Sequence, residues 1–167
     1  MTNIDEKFFE NNEFVLFKSG YPSQWFPSNF IENDIEFNCC EQYMMYMKAL
    51  IFNDIEIANL ILVEKDPKKI KELGRLVKNF DDNQWNAFAD DIVFSANLLK
   101  FSQNIDLREK LLLTGDKEFV ECAPYDKIWG NGLNITDTLK TPKNEWLGTN
   151  RLGKAIMRTR EFIRKNN

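Results

Sequence analysis

The sequence predicts an α+β fold, mainly helical, in a single domain over residues 1–167 with a small β element. Three observations predict it. From residue 39 onward apolar residues recur at helical spacing, with capping residues at the ends of the runs. Residues 13–18, EFVLFK, alternate as a short strand does. Hydrophobic residues make up 43% of the 167 positions and aromatic residues 13%, enough for a real core.

The elements follow in order. Residues 13–18 are the first strand, and 34–38, DIEFN, are expected as its hairpin partner. Between them SGYPSQWFPSNF reads as a loop dense in aromatics and holding two prolines. CCEQYMMYMKALIF, residues 39–52, reads as a helix. DPKKIKELGRLVK opens with Asp66 as N-cap and Pro67 at the first helical position, a favoured pair. DDNQWNAFADDIVFSANLLKFSQN carries Trp85, Phe88, Ile92 and Ser95–Ala96 at helical spacing. DLREKLLLTG ends at Thr114-Gly115, a glycine C-cap. EFVEC, residues 118–122, reads as a strand, a Pro/Gly-rich loop APYDKIWGNG follows, and a last helix starts near Leu152.

Composition narrows the chemistry. With no histidine anywhere, zinc sites and Ser–His or Cys–His catalysis are excluded as expectations. Three cysteines, Cys39, Cys40 and Cys122, form no CxxC, and the cytoplasm is the expected compartment. The start, MTNIDEKFFENNEF, lacks the pattern of a signal peptide, and no run approaches a membrane span. A net charge of −4 gives no global attraction to nucleic acid or anionic membrane. The basic tail, KAIMRTREFIRKNN, reads as a solvated helix end complementing the dipole.

Two places concentrate chemistry-bearing residues. In the helix at 39–52, Cys40, Tyr43, Met44, Met47 and Ile51 form one stripe, and Glu41, Met45, Lys48 and Phe52 a second. Glu41 and Lys48 share a face but stand about 10 Å apart along the axis, too far for a compact ion pair and suited to one ligand touching both. The plainer alternative is that both reach the rim or pair with other helices. The second place is ECAPYDKIWGNG, where Asp126 stands between Tyr125 and Trp129. A carboxylate flanked by flat rings suits a sugar or heterocycle, and equally suits a turn whose Asp caps the backbone. The GNG does not continue as GxGxxG, so no dinucleotide loop is read there. Gly74 in mid-helix before Arg75 points to close approach of another helix or a ligand, since glycine there costs about 1 kcal/mol.

Taken in order, WFPSNF, EQYMMYMKALIF, LGR, Trp85, KFSQN, LREKLLLTGD, VECAPYDKIWGNG and NRLGKAIMRTR resemble the NADAR, or YbiA-like, domain over about residues 14–160. The resemblance implies a compact multihelical YbiA-like fold and an N-glycosidase. Its substrate would be either a ribosylamino-pyrimidine phosphate of riboflavin biosynthesis or ADP-ribose attached to guanine, in DNA or free. The family pattern usually has histidine after the glutamate; here Gln42 stands there, able to donate and accept hydrogen bonds.

Cleaving a ribose–amino bond builds positive charge on the sugar. On the family reading Glu41 faces that charge or activates water, and Asp126 is the second acidic group, on ribose hydroxyls or sharing the base role. Lys48 and Arg75 meet phosphate, Trp85, Tyr125 and Trp129 wall the ring, and Asn29 bonds the base. Phe30, Lys100 and Gly130 complete the expected substrate-binding set. No cofactor and no metal are expected. Two rivals remain open at this point: a module that holds ADP-ribose or a nucleotide without hydrolysing it, and a helical interaction protein in which Glu41 and Lys48 only pair with neighbours.

Overall fold

In the computed structural model, which describes residues 3–166, the alternating stretch near residue 14 is the middle strand of a three-stranded sheet. In chain order the elements are β1 (Phe8–Glu10), β2 (Phe14–Phe17), β3 (Phe30–Glu32), β4 (Ile35–Phe37), α1 (Cys40–Ile51), α2 (Ile55–Val63), α3 (Pro67–Arg75), α4 (Asp82–Gln103), α5 (Ile105–Leu113), β5 (Glu118–Glu121), α6 (Ile135–Lys140) and α7 (Arg151–Lys165), with a 3-10 turn at Lys143–Glu145. The fold is α+β and mainly α, as the spacing predicts. The chain gathers into two compact units: the N-terminal stretch through Ser23 with Asp106 onward, and Gln24–Ile105.

In the first unit β2 pairs antiparallel with β1 and parallel with β5, Val15 opposite Phe119 and Phe17 opposite Glu121. Val15, Leu16 and Phe17 are all buried, because a middle strand covered on both faces has no solvent side to keep polar. Leu16, Val120, Cys122 and Ile135 form a core cluster flanked by Phe9, Phe14 and Trp146. The parallel partner corrects the expected hairpin between 13–18 and 34–38. Residues 35–37 pair instead with Phe30–Glu32 through Asn33-Asp34, both left-handed at φ 51° and 65°. That is the two-residue turn chemistry that closes tight hairpins, so the local partner wins over the distant one.

The outer edge of β5 is held by α7. Asn150, left-handed at φ 50°, donates its Nδ2 to Phe119 O at 2.9 Å and accepts from the Glu121 amide at 3.0 Å. A Cβ on Gly153, one turn further, would stand 2.1 Å from the Phe119 carbonyl, so only glycine lets α7 lie this close to the strand. The basic tail is more than a solvated end. Buried Arg160 donates Nη1 to Thr114 Oγ1 at 2.9 Å and to Lys117 O at 2.8 Å, and Arg164 Nη1 pairs with Asp116 at 2.9 Å. The arginines of α7 thus clamp the Thr114-Gly115-Asp116 turn, whose glycine is left-handed at φ 61°.

In the second unit α1 is covered nearly all round and packs against α2, α3 and α4. Asp54, Asp66 and Asp81 cap α2, α3 and α4, accepting from the amides of Ile57, Lys68 and Gln84. The Asp66-Pro67 start is as the sequence predicts. Gly74 is explained by packing: a Cβ there would fall 2.0 Å from Met45 Sδ. On α4 the buried stripe runs Trp85, Ala89, Ile92, Val93, Ala96, Asn97, Lys100 and Phe101, whereas Phe88 is half exposed.

Candidate active site

Glu41 lies in the first turn of α1, 7% exposed, where the helix dipole favours a carboxylate. Its amide donates to Gln24 O at 3.0 Å, tying the residue just before WFPSNF to the start of the helix. Gln24 in turn accepts from Asn97 Nδ2 at 3.1 Å. Two turns along α1, Lys48 is half buried with its Nζ 4.4 Å from the Phe80 ring centroid and 6.0 Å from that of Trp85. Burial holds the Lys48 ammonium below its ordinary pKa; Glu41 and Asp82 oppose that shift, and Arg75 adds to it. The second unit therefore brings together four expected residues, Glu41, Lys48, Arg75 and Trp85. Trp85 is buried and Arg75, in the last turn of α3, is exposed.

The other residues expected in this unit take different places. Phe30 is 1% exposed and stacks on Phe37 at 5.7 Å, so it builds the aromatic core with Tyr43. Asn29 is exposed, and its carbonyl accepts from Asn104 Nδ2 at 3.0 Å. Lys100 is fully buried, with Nζ 5.1 Å from the Phe101 centroid and 5.7 Å from that of Phe26; desolvation holds its pKa low. Gln42 faces away from the pair: Oε1 accepts from the Asn38 amide at 2.8 Å, and Nε2 donates to Ile61 O and Glu64 O, each at 3.0 Å.

Tyr125, Asp126, Trp129 and Gly130 share one loop of the first unit. Asp126 Oδ1 accepts from the amides of Ile128 and Trp129, both at 2.9 Å, the cap that turn chemistry offers an aspartate. Tyr125 is 72% exposed, and Arg151 stacks over Trp129 with Cζ 4.5 Å from the ring centroid. Gly130 is required by space, since a Cβ would come 2.9 Å from both Asp126 O and Glu121 O. The same unit holds a cavity of about 490 Å³, lined among others by Phe14, Thr138, Lys143 and Trp146. None of the expected site residues lines it.

The NADAR domain family model matches residues 7–164. The chain belongs to the NADAR domain family. It is 47% identical over 144 residues to N-glycosidase R617 of Acanthamoeba polyphaga mimivirus, covering 83% of this chain and 85% of that protein. It is 24% identical over 168 residues to the riboflavin biosynthesis protein VVA0006 of Vibrio vulnificus, spanning 99% of this chain and 41% of the other. The fold matches the NMR structure of the E. coli protein YbiA with a TM-score of 0.77 at 21% identity, over 98% of this chain and 95% of that one.

Within this NADAR chain, sequence reasoning missed Gln24, Asn97 and the pairing of Lys48 with Phe80. Asn97 and Lys100 carried a signal, two polar residues one turn apart on the apolar face of a long helix. Phe80 carried none, because it precedes α4 and reaches Lys48 only through the fold.

Proposed function

We propose that the chain is an N-glycosidase that hydrolyses the bond between the anomeric carbon of a ribose and an amino nitrogen on a heterocycle. The observation that carries this reading is the buried Glu41 set on one helix with the half-buried Lys48, in a NADAR chain whose relative is named an N-glycosidase. In the reaction the C–N bond breaks with its electron pair going to nitrogen. The ribose becomes oxocarbenium-like, water adds to the anomeric carbon, and a proton reaches the departing amine.

Glu41 is the carboxylate that opposes the sugar charge and accepts the proton of the attacking water. Lys48 and Arg75 meet the substrate phosphate, and the Trp85 ring borders the heterocycle. This chemistry asks for no metal. The substrate class is a phosphorylated N-riboside; the name of the Vibrio relative favours a ribosylamino-pyrimidine phosphate, and the family resemblance keeps ADP-ribosylated guanine beside it.

The test assays purified protein on both substrates side by side. Glu41→Gln is expected to lower kcat by about 10²–10⁴-fold with the thermal transition retained. Turnover at the parent rate would remove Glu41 from the mechanism. Heat of binding without product, on both substrates, would instead establish a non-catalytic binding module. Gln42, occupied in capping α2, lends that alternative no support.

A further inference from the structure

Lys48 carries a half-buried ammonium that gives no hydrogen bond or ion pair to any described residue. A lysine head on its flexible four-carbon stem ordinarily swings out to water when no acceptor holds it. Here it stays beside a ring: Nζ lies 4.4 Å from the Phe80 centroid, against 6.0 Å from that of Trp85. At that separation the negative face of a phenyl ring attracts a cation, more strongly where water is partly shut out.

The link between α3 and α4 fixes where Phe80 stands. Val77 is buried, and the Lys78 amide donates to Asp54 Oδ2 at 3.0 Å. Asn79 then turns the chain in the left-handed region at φ 60°. The Phe80 ring leans on buried Phe52, with centroids 5.4 Å apart. Yet 41% of Phe80 remains exposed, so it gains less from burial than a core phenylalanine does. What this placement does supply is a fixed π face for Lys48.

We propose that Phe80 is a positioning residue, whose ring holds the Lys48 ammonium in place for an anionic group and does not itself touch substrate. It rests on the N-glycosidase reading only in taking that anion to be the substrate phosphate. The charged groups acting on Lys48 from the elements around it are Glu41 on α1, Arg75 on α3 and Asp82 on α4. Arg75 repels the ammonium, so the ring works alongside the two carboxylates in keeping it there.

The first experiment needs no turnover. The ¹³Cε resonance of Lys48 is titrated in the parent, in Phe80→Leu and in Phe80→Tyr. Leucine keeps the site apolar without a π face, and tyrosine keeps the ring. The Lys48 pKa is expected to fall by about 0.5–1 pH units in Phe80→Leu and to stay parental in Phe80→Tyr. A titration unmoved in Phe80→Leu, or moved as far in Phe80→Tyr, overturns the proposal, whatever the protein catalyses. The second is a double-mutant cycle on KM for the ribosylamino-pyrimidine phosphate. Phe80→Leu is expected to raise KM about 2–5-fold with kcat little changed, and to raise it no further in a Lys48→Met background. An equal rise in both backgrounds would set Phe80 against the substrate itself and overturn the proposal. If the parent turns nothing over, the N-glycosidase reading falls and the Lys48 titration decides alone.

Discussion

Gln42 shows how one side chain can be read for chemistry and turn out to hold structure. Its amide satisfies the last carbonyls of α2 and the backbone ahead of α1, groups that helix ends otherwise leave without partners. Gln42→Ala is expected to cost about 1–3 kcal/mol in denaturant melts, because buried carbonyls lose their donor, with KM unchanged. A raised KM at parental stability would place Gln42 at the substrate instead. Asp126 likewise holds structure, its Oδ1 accepting from the amides of Ile128 and Trp129 in its own loop. Asp126→Asn keeps an acceptor for the Ile128 and Trp129 amides and removes only the charge. It is expected to leave the melting temperature unchanged; a clear fall would show that the charge itself holds the loop. These roles were partly legible: residue types and family order pick out Glu41 and Lys48, but sequence does not say which way a buried amide points.

At the scale of elements, the helices with explicit caps were legible and the strand pairing was not. Asp66-Pro67 and the Thr114-Gly115 stop work through neighbours in sequence, so local chemistry fixes them. The parallel pairing of β2 with β5 joins residues about a hundred positions apart, and no turn residue announces it. Asn33-Asp34 carried a turn signal for the β3–β4 hairpin, which the pairing expected between 13–18 and 34–38 passed over. Gly74 tests the packing of α3 on α1. In an open helix Gly→Ala gains about 1 kcal/mol from propensity. Here the added carbon would meet Met45 Sδ, and overpacking typically costs about 1–3 kcal/mol. The steric effect wins, so Gly74→Ala is expected to melt earlier, and pairing it with Met45→Ala should recover part of the loss. A variant more stable than the parent would show that Met45 simply moves aside.

Over the whole molecule, the three thiols report on integrity. Cys39, Cys40 and Cys122 are at most 1% exposed, and burial pushes their pKa up to about 11, 12 and 11. Raised pKa values mean that this contribution to stability is complete below the unfolded thiol value near 8.5. It is lost as pH climbs toward 11–12. At pH 8 a disulfide reagent is expected to label the native protein far more slowly than the urea-unfolded chain; a native thiol labelling at the unfolded rate would contradict this burial. Cys39 and Cys40 follow one compact unit and Cys122 the other. Asn150 has its own consequence at this scale. By answering the Phe119 carbonyl and the Glu121 amide with a carboxamide, it occupies the place of a neighbouring strand on that border of the sheet. A stray strand from a second copy would find its docking points already taken there, which shields a small three-stranded ribbon from stacking end on end into aggregates.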